Sequence, residues 1–423
     1  MMNANGSEWV WGYLCLVLNL DDQKLCSSTV TKTTKAIVIR WVISLWVLLL
    51  TIGVGGSTPP LLTIQSPDGD IVDCILRENQ LAFQHPLLKN HKLQEPPTHI
   101  PNMVVKEAEM GYKWQVWHQT GTRCPEGSIP IRRVISKHNG TSSSSISERT
   151  KSHEYVIGSM ENKPKIYGTQ VTMNVWHPVI EGFNEFSLGQ IWLTSGSYND
   201  SDLNSIEAGW QVYPDFYNDS QARLFIFWTT DAYNLTGGYN LRTGGFVQTS
   251  KEIMVEGAIS QTSIFGGDQV DLTIRIWKDT KSKSWWLGII IGHNVLEPVG
   301  YWPASLFTIQ TDYAETVQWG GEITNKNEYG RHTETQMGSG YFPDSGRGKV
   351  AYMSNLQIAL TESEFQPLQD LFVGATHPEY YRGKKLNDTC FYYGGPQQLN
   401  SKAAHRMLDY TILYFTFGLF LLF

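Results

Sequence analysis

Two stretches each place a single glutamate inside an apolar, aromatic run of strand-like composition: Ser205-Ile-Glu-Ala-Gly-Trp-Gln-Val212 and Thr316-Val-Gln-Trp-Gly-Gly-Glu-Ile323. Side chains alternate across a strand, so Glu207, Gly209 and Gln211 share one face of the first run, and Gln318, Gly320 and Glu322 share one face of the second. Glycine within a strand often marks the close approach of a ligand or of another backbone. Each acid therefore reads as standing over open space. Taken singly, either is equally an ordinary exposed strand residue. If the two meet, like charges at short range cannot both ionise, and one acid keeps its proton while the other is a carboxylate. A water between them could then attack a carbonyl, with the carboxylate taking its proton and the acid polarising the carbonyl oxygen. Peptide hydrolysis at acid pH is one outcome. Cleavage of a glycosidic bond is another, and the separation of the carboxylates distinguishes the two.

Other residues offer support around such a pair. Gln190 and Gln211 have amides able to orient a water or donate to a developing oxyanion, although a cross-strand hydrogen bond is an equal reading. Trp210, Tyr301 and Trp319 could stack on a substrate ring, and large aromatics in a layered β fold are more often core residues. No Gly-x-Ser-x-Gly elbow, His-Glu-x-x-His helix or phosphate loop occurs. Asp344-Ser-Gly346 occurs once, flanked by Pro343 and Arg347, and reads as a turn. His177, His293 and His332 lack metal-ligand spacing and read as structural. No cofactor and no metal is called for. Cys15, Cys26, Cys74, Cys124 and Cys390 are too few and too scattered for a disulfide framework, so each is expected unpaired.

The elements that would position the acids are strands. Only 17% of the 423 residues are charged, 12% are aromatic and 38 are glycine, a mix suited to many strands joined by tight turns. From about Glu154, β-branched and aromatic runs such as Arg223–Thr229, Val270–Trp277 and Trp285–Ile291 recur between turn signals, with no strong helical period. The expected fold is all-β: an antiparallel β-sandwich over an aromatic core, preceded by a small separate unit. The net charge of −7 without a long basic run argues against nucleic acid as a partner.

The expected division is residues 1–57, 58–150, 151–396 and 397–423. Lys35 and Arg40 precede an apolar run at 41–54 followed by small residues, the pattern of an N-terminal extension and signal peptide. Residues 58–150 carry two Pro pairs and end in a Ser-rich linker at 142–145 that suits processing. The last segment is a polar spacer and an apolar tail, 408–423, short for a membrane span. Secretion to the extracellular space is expected, with membrane contact only through an uncleaved anchor at 41–54 or the tail. Sequons at Asn5, Asn139, Asn199, Asn218, Asn234 and Asn387 would then be acceptors for glycans.

With these residues in hand, the chain resembles the plant neprosin family, glutamic peptidases that cleave after proline. Gly69-Asp-Ile-Val-Asp-Cys74, His85-Pro-Leu-Leu-Lys-Asn-His91 and Cys124-Pro-Glu-Gly-Ser-Ile-Pro-Ile-Arg-Arg133 are similar to its activation propeptide. Phe186–Trp192, Ile206–Val212, Gly300-Tyr-Trp-Pro303, Trp319-Gly-Gly-Glu322 and Gln336–Gly340 are similar, in order, to its catalytic domain. The resemblance implies a secreted zymogen whose propeptide covers the groove, an acid-active dyad of Glu207 and Glu322, and a peptide or protein substrate rich in proline. It also implies two cysteines where this chain has Gly238 and Thr243, and a partner for Cys390 that is missing. Loss of a native bridge costs about 2 to 5 kcal/mol. The alternatives are a catalytically silent extracellular or cell-wall sandwich that binds carbohydrate or peptide, and a two-carboxylate glycosidase.

Overall fold

A computed structural model describes residues 59–97, 115–119, 121–134, 152–162, 164–291, 295–326, 330–362 and 364–396. The run at 41–54, the Ser-rich linker, Cys15, Cys26, Asn5, Asn139 and the tail lie outside them.

Every strand pair among the described residues is antiparallel, and the only α-helix there is one turn, α1 (Pro214–Tyr217). Three sheets form. The smallest contains β1 (Leu62–Gln65), β2 (Ile71–Leu76) and β3 (Ser128–Arg132), in that order. The second has seven strands: β4 (Ser152–Met160), β6 (Ser187–Ser195), β7 (Asn204–Val212), β8 (Arg223–Thr229), β9 (Gly238–Tyr239), β14 (Thr316–Asn325) and β17 (Leu371–Ala375). Their order is β17-β4-β14-β6-β7-β8-β9, so the two glutamate strands flank β6. The third sheet has nine strands: β5 (Gly168–Asn174), β10 (Val247–Gln248), β11 (Asp271–Lys278), β12 (Trp285–Ile291), β13 (Val295–Trp302), β15 (Ala351–Thr361), β16 (Glu364–Pro367), β18 (Arg382–Asn387) and β19 (Cys390–Gly394).

The two large sheets share one core, and the alternation of each strand decides which residues enter it. From β7 these are Ile206, Ala208, Trp210 and Val212; they meet Val171, Met173, Ile274 and Ile276 of the nine-stranded sheet and the tryptophans 285, 286 and 302. Burial of side chains this large supplies the main driving force for closing the sandwich. The opposite face of the seven-stranded sheet carries a second aromatic cluster with Phe186, Leu188, Trp192, Tyr213, Tyr217 and Phe225. Glu207 and Glu322 lie on that side.

The N-terminal sheet is joined to the sandwich by shared core and charge. Ala82 and Leu88 enter the main core, and Met254 of the sandwich enters the small core of Ile64, Val72 and Trp117. Gln80 and Gln248 exchange two hydrogen bonds, Nε2 to backbone oxygen at 3.1 Å and backbone nitrogen to Oε1 at 2.8 Å. The small core also contains a disulfide between Cys74 and Cys124, which overturns the expectation that both are unpaired. Fifty residues separate them in sequence, and only the pairing of β2 with β3 brings their Cα atoms to 5.4 Å. Cys390 is free.

Arg223 of β8 is fully buried and is matched across this junction by Asp70, through two hydrogen bonds of 2.7 and 3.0 Å. Arg132 donates to the same carboxylate at 2.7 Å, and Asp219 accepts from both arginines. Burial pushes the Asp70 carboxyl up, but the hydrogen bonds and charge of Arg223 and then Arg132 outweigh it and hold Asp70 below its ordinary value of 3.8. A carboxyl depressed by folding contributes stability that is present above its unfolded value and lost as pH falls through the folded one. Asp70→Asn is expected to cost about 3 kcal/mol in urea unfolding at neutral pH, because it leaves Arg223 buried with half its counter-charge. The same substitution should flatten the loss of stability that wild type shows below about pH 4.

Candidate active site

Register sets the geometry. Within the seven-stranded sheet, Gln190 of β6 pairs with Gly209 of β7 on one side and Gly320 of β14 on the other. A Cβ at Gly209 would lie 2.0 Å from the Gly189 carbonyl and 2.7 Å from the Gln190 Cα; one at Gly320 would lie 1.9 Å from the Val156 carbonyl. The close approach marked by these glycines is therefore by neighbouring backbone. Two residues along from each glycine, Glu207 and Glu322 then rise on either side of the Gln190 side chain.

The Gln190 amide joins the acids. Its Nε2 donates to Glu207 Oε2 at 3.1 Å and to Glu322 Oε2 at 3.4 Å. Glu207 Oε1 accepts from Ser205 Oγ at 2.9 Å and from the Tyr233 hydroxyl at 2.5 Å. Glu322 Oε1 lies 2.5 Å from Nδ1 of His153. Both acids are buried, 5% and 6% exposed. Burial is the main force pushing the Glu207 carboxyl up to about 7; the Tyr233 hydrogen bond opposes it, and the charge of Glu322 adds to it. Tyr198 is pushed up to about 12, first by burial and then by Glu207; Tyr155 is raised by burial and then by Glu322, and Tyr233 by burial and then by Glu207.

The acids open into a cleft of about 740 Å³ floored by Tyr155, Phe186, Leu188, Trp192, Phe225 and Phe227. Its rim includes Tyr198, Leu235 and Tyr239. Tyr233 belongs to a loop in which Ala232 and Tyr233 both adopt positive φ, 54° and 62°. Asp231 holds that loop by accepting the backbone N–H groups of Asn234, Leu235 and Thr236. At the base of the loop a Cβ on Gly238 would lie 3.0 Å from the Thr243 Cβ. The two positions where the resemblance implies cysteines thus face each other.

Of the residues singled out in the sequence, Glu207, Glu322 and Gln190 come together. Gln211 lies farther along β7, where its Oε1 accepts from the Tyr217 hydroxyl at 3.1 Å, outside the cleft lining. Trp210 and Trp319 point into the inter-sheet core, and Trp319 Nε1 donates to Thr169 Oγ1 at 2.9 Å. The Tyr301 hydroxyl meets His91 Nε2 and accepts from the Gln94 backbone N–H, both at 2.9 Å, so it faces the N-terminal unit. No described residue of 59–134 lines the cleft. Asn199, Asn218, Asn234 and Asn387 are exposed, Asn234 on the rim. His332 is hydrogen-bonded to the buried Glu154 at 2.8 Å, and Asp344 sits in an exposed turn. His153, Tyr155, Ser205 and Tyr233 were not legible as site residues. For Ser205, His153 and Tyr155 the usable signal was the period of two: Ser205 shares a face with Glu207, and His153 shares one with Tyr155.

The site is thus a buried carboxylate pair at the floor of a cleft on an antiparallel all-β domain. The chain belongs to the Neprosin family: the Neprosin model matches residues 183–396, and the Neprosin activation peptide model matches residues 63–175. Among solved structures the chain is similar to scytalido-glutamic peptidase with a transition state analog inhibitor, at 8% identity and a TM-score of 0.32, covering 57% of this chain and 98% of that one. It is similar also to SCP-B, a member of the Eqolisin family of peptidases in complex with the tripeptide Ala-Ile-His, at 9% identity and a TM-score of 0.32, covering 57% and 97%. A third likeness, at 8% identity and a TM-score of 0.20 over 41% and 89%, is to the CBM40 of Ruminococcus gnavus IT-sialidase bound to α2,6 sialyllactose.

Because folding raises the Glu207 carboxyl from its ordinary 4.5 to about 7, the native state binds a proton that the unfolded chain has lost across that interval. Its contribution to stability is therefore complete below about pH 4.5 and declines as pH rises to about 7. Urea unfolding measured across this range is expected to show that decline in wild type and its removal in Glu207→Gln.

Proposed function

We propose that the protein is a glutamic endopeptidase that hydrolyses peptide bonds after proline at acid pH. The observation that carries this reading is the pair of buried glutamates held by one amide at the floor of an open cleft. Membership of the Neprosin family supports the peptidase class.

In this reading Glu207 is the acid and Glu322 the base. Glu207 keeps its proton in mildly acidic solution because burial disfavours its charge. A water between the carboxyl groups gives a proton to Glu322 as its oxygen attacks the carbonyl carbon, while Glu207 donates to the carbonyl oxygen. The tetrahedral intermediate then collapses: the proton on Glu322 passes to the departing amine nitrogen, and the proton on the former carbonyl oxygen returns to Glu207. Gln190, with both acids as acceptors, fixes their spacing, and its buried Oε1 has no hydrogen-bond partner among the described residues. The aromatic floor suits a ring such as that of proline, since flat apolar faces favour it over a charged side chain. Synthesis as a secreted zymogen with glycans at the exposed sequons belongs to the same reading.

Purified protein, processed at acid pH and given peptides with and without proline, is expected to cleave after proline. Glu207→Gln and Glu322→Gln should each lower kcat by about 10³-fold or more. Wild-type turnover in either variant rejects the dyad, and retention on a glycan array without proteolysis at any pH favours the binding module instead.

A further inference from the structure

Two carboxylates share one proton in the mechanism above, and burial, nearly equal for the two, disfavours a charge on either. Their partners differ. Among the described residues, the hydrogen-bond donors to Glu207 are neutral: the Ser205 and Tyr233 hydroxyls and the Gln190 amide. Glu322 faces the same amide and, at 2.5 Å, an imidazole nitrogen of His153 that is a donor in the neutral or the charged ring, or an acceptor in the other tautomer. An imidazolium there stabilises a carboxylate at Glu322 and leaves the shared proton to Glu207. An acceptor nitrogen would do the reverse.

The surroundings of His153 favour the first arrangement. Its side chain is 30% exposed, so the ring exchanges protons with solvent while the acid it meets is buried. The ring is held between Tyr155, stacked at 6.3 Å, and the edge of Phe186 at 5.9 Å. Among the titratable groups of the described residues, Glu322 from β14 and Tyr155 from its own strand face it, with Glu207, Tyr198 and Tyr233 elsewhere in the cleft lining. Glu154, next in the chain, turns to the other face of β4, where Asn325 and His332 bond it.

We propose that His153 is a positioning residue of the site: as an imidazolium it holds Glu322 as the carboxylate and thereby assigns the base to Glu322 and the acid to Glu207. The inference rests on the dyad reading and deepens it. Full turnover then uses two protonated groups, the imidazolium and the Glu207 acid, so activity falls more steeply on the alkaline side than the loss of one proton allows.

The test is the pH profile of kcat in wild type, His153→Asn and His153→Ala, with circular dichroism to establish that each variant folds. Asparagine keeps a donor at the branch position of Nδ1 but carries no charge. Wild-type log kcat is expected to fall with a slope approaching −2 above neutrality. Both variants should fall with a slope near −1, with kcat at acid pH reduced about 10- to 100-fold and KM changed far less. An asparagine variant with wild-type kcat and wild-type slope overturns the proposal, because hydrogen bonding alone would then suffice. A separate readout does not need turnover: the ¹⁵N ring resonances of His153 at acid pH should be those of an imidazolium and should move in Glu322→Gln, while those of His332 stay. Ring resonances indifferent to Glu322→Gln overturn the pairing even if the wild type proves to cleave no peptide, whereas a response without any peptide cleavage would fault the peptidase reading alone.

Discussion

One side-chain amide, Gln190, lies between two buried carboxylates and is hydrogen-bonded to both. Bringing two acids so close beneath a protein surface is unfavourable unless donors and protonation compensate for the lost solvation. The rest of the site follows from that constraint. Hydroxyls of Ser205 and Tyr233 serve one acid and His153 the other, and burial, with the charge of Glu322 adding to it, pushes the Glu207 carboxyl up.

The constraint is met by a rigid sheet. Glu207 and Glu322 stand on strands that flank β6, so their spacing is fixed by two rows of backbone hydrogen bonds. Behind that sheet, Trp210 and Trp319 fill the core and hold it flat against its partner. The aromatics that could meet a substrate are a different set, on the opposite face, including Trp192, Phe225 and Phe227. The N-terminal segment around the small sheet packs on the sandwich elsewhere. Its Asp70 neutralises Arg223 on the far stretch of β8, its Ala82 and Leu88 enter the common core, and its described residues leave the cleft open.

The period of two in residues 205–212 and 316–323 determined, from sequence alone, that each glutamate shares a face with a glycine and lies opposite a tryptophan. The turn signals and β-branched runs likewise determined an antiparallel all-β fold, because alternation and turn chemistry act within a few residues and need no partner strand. Tertiary structure decided what depends on register. It alone placed Gln190 between the acids and Gln211 beyond them, since both are amides on strand faces and only pairing separates them. It turned the glycines from openings for a ligand into points where backbones meet. It sent Trp210, Trp319 and Tyr301 away from the cleft, joined Cys74 to Cys124 across fifty residues, and brought His153 and Tyr233 to the carboxylates from β4 and a loop. Such contacts arise between residues far apart in the chain, and no local pattern records which distant strand becomes a neighbour.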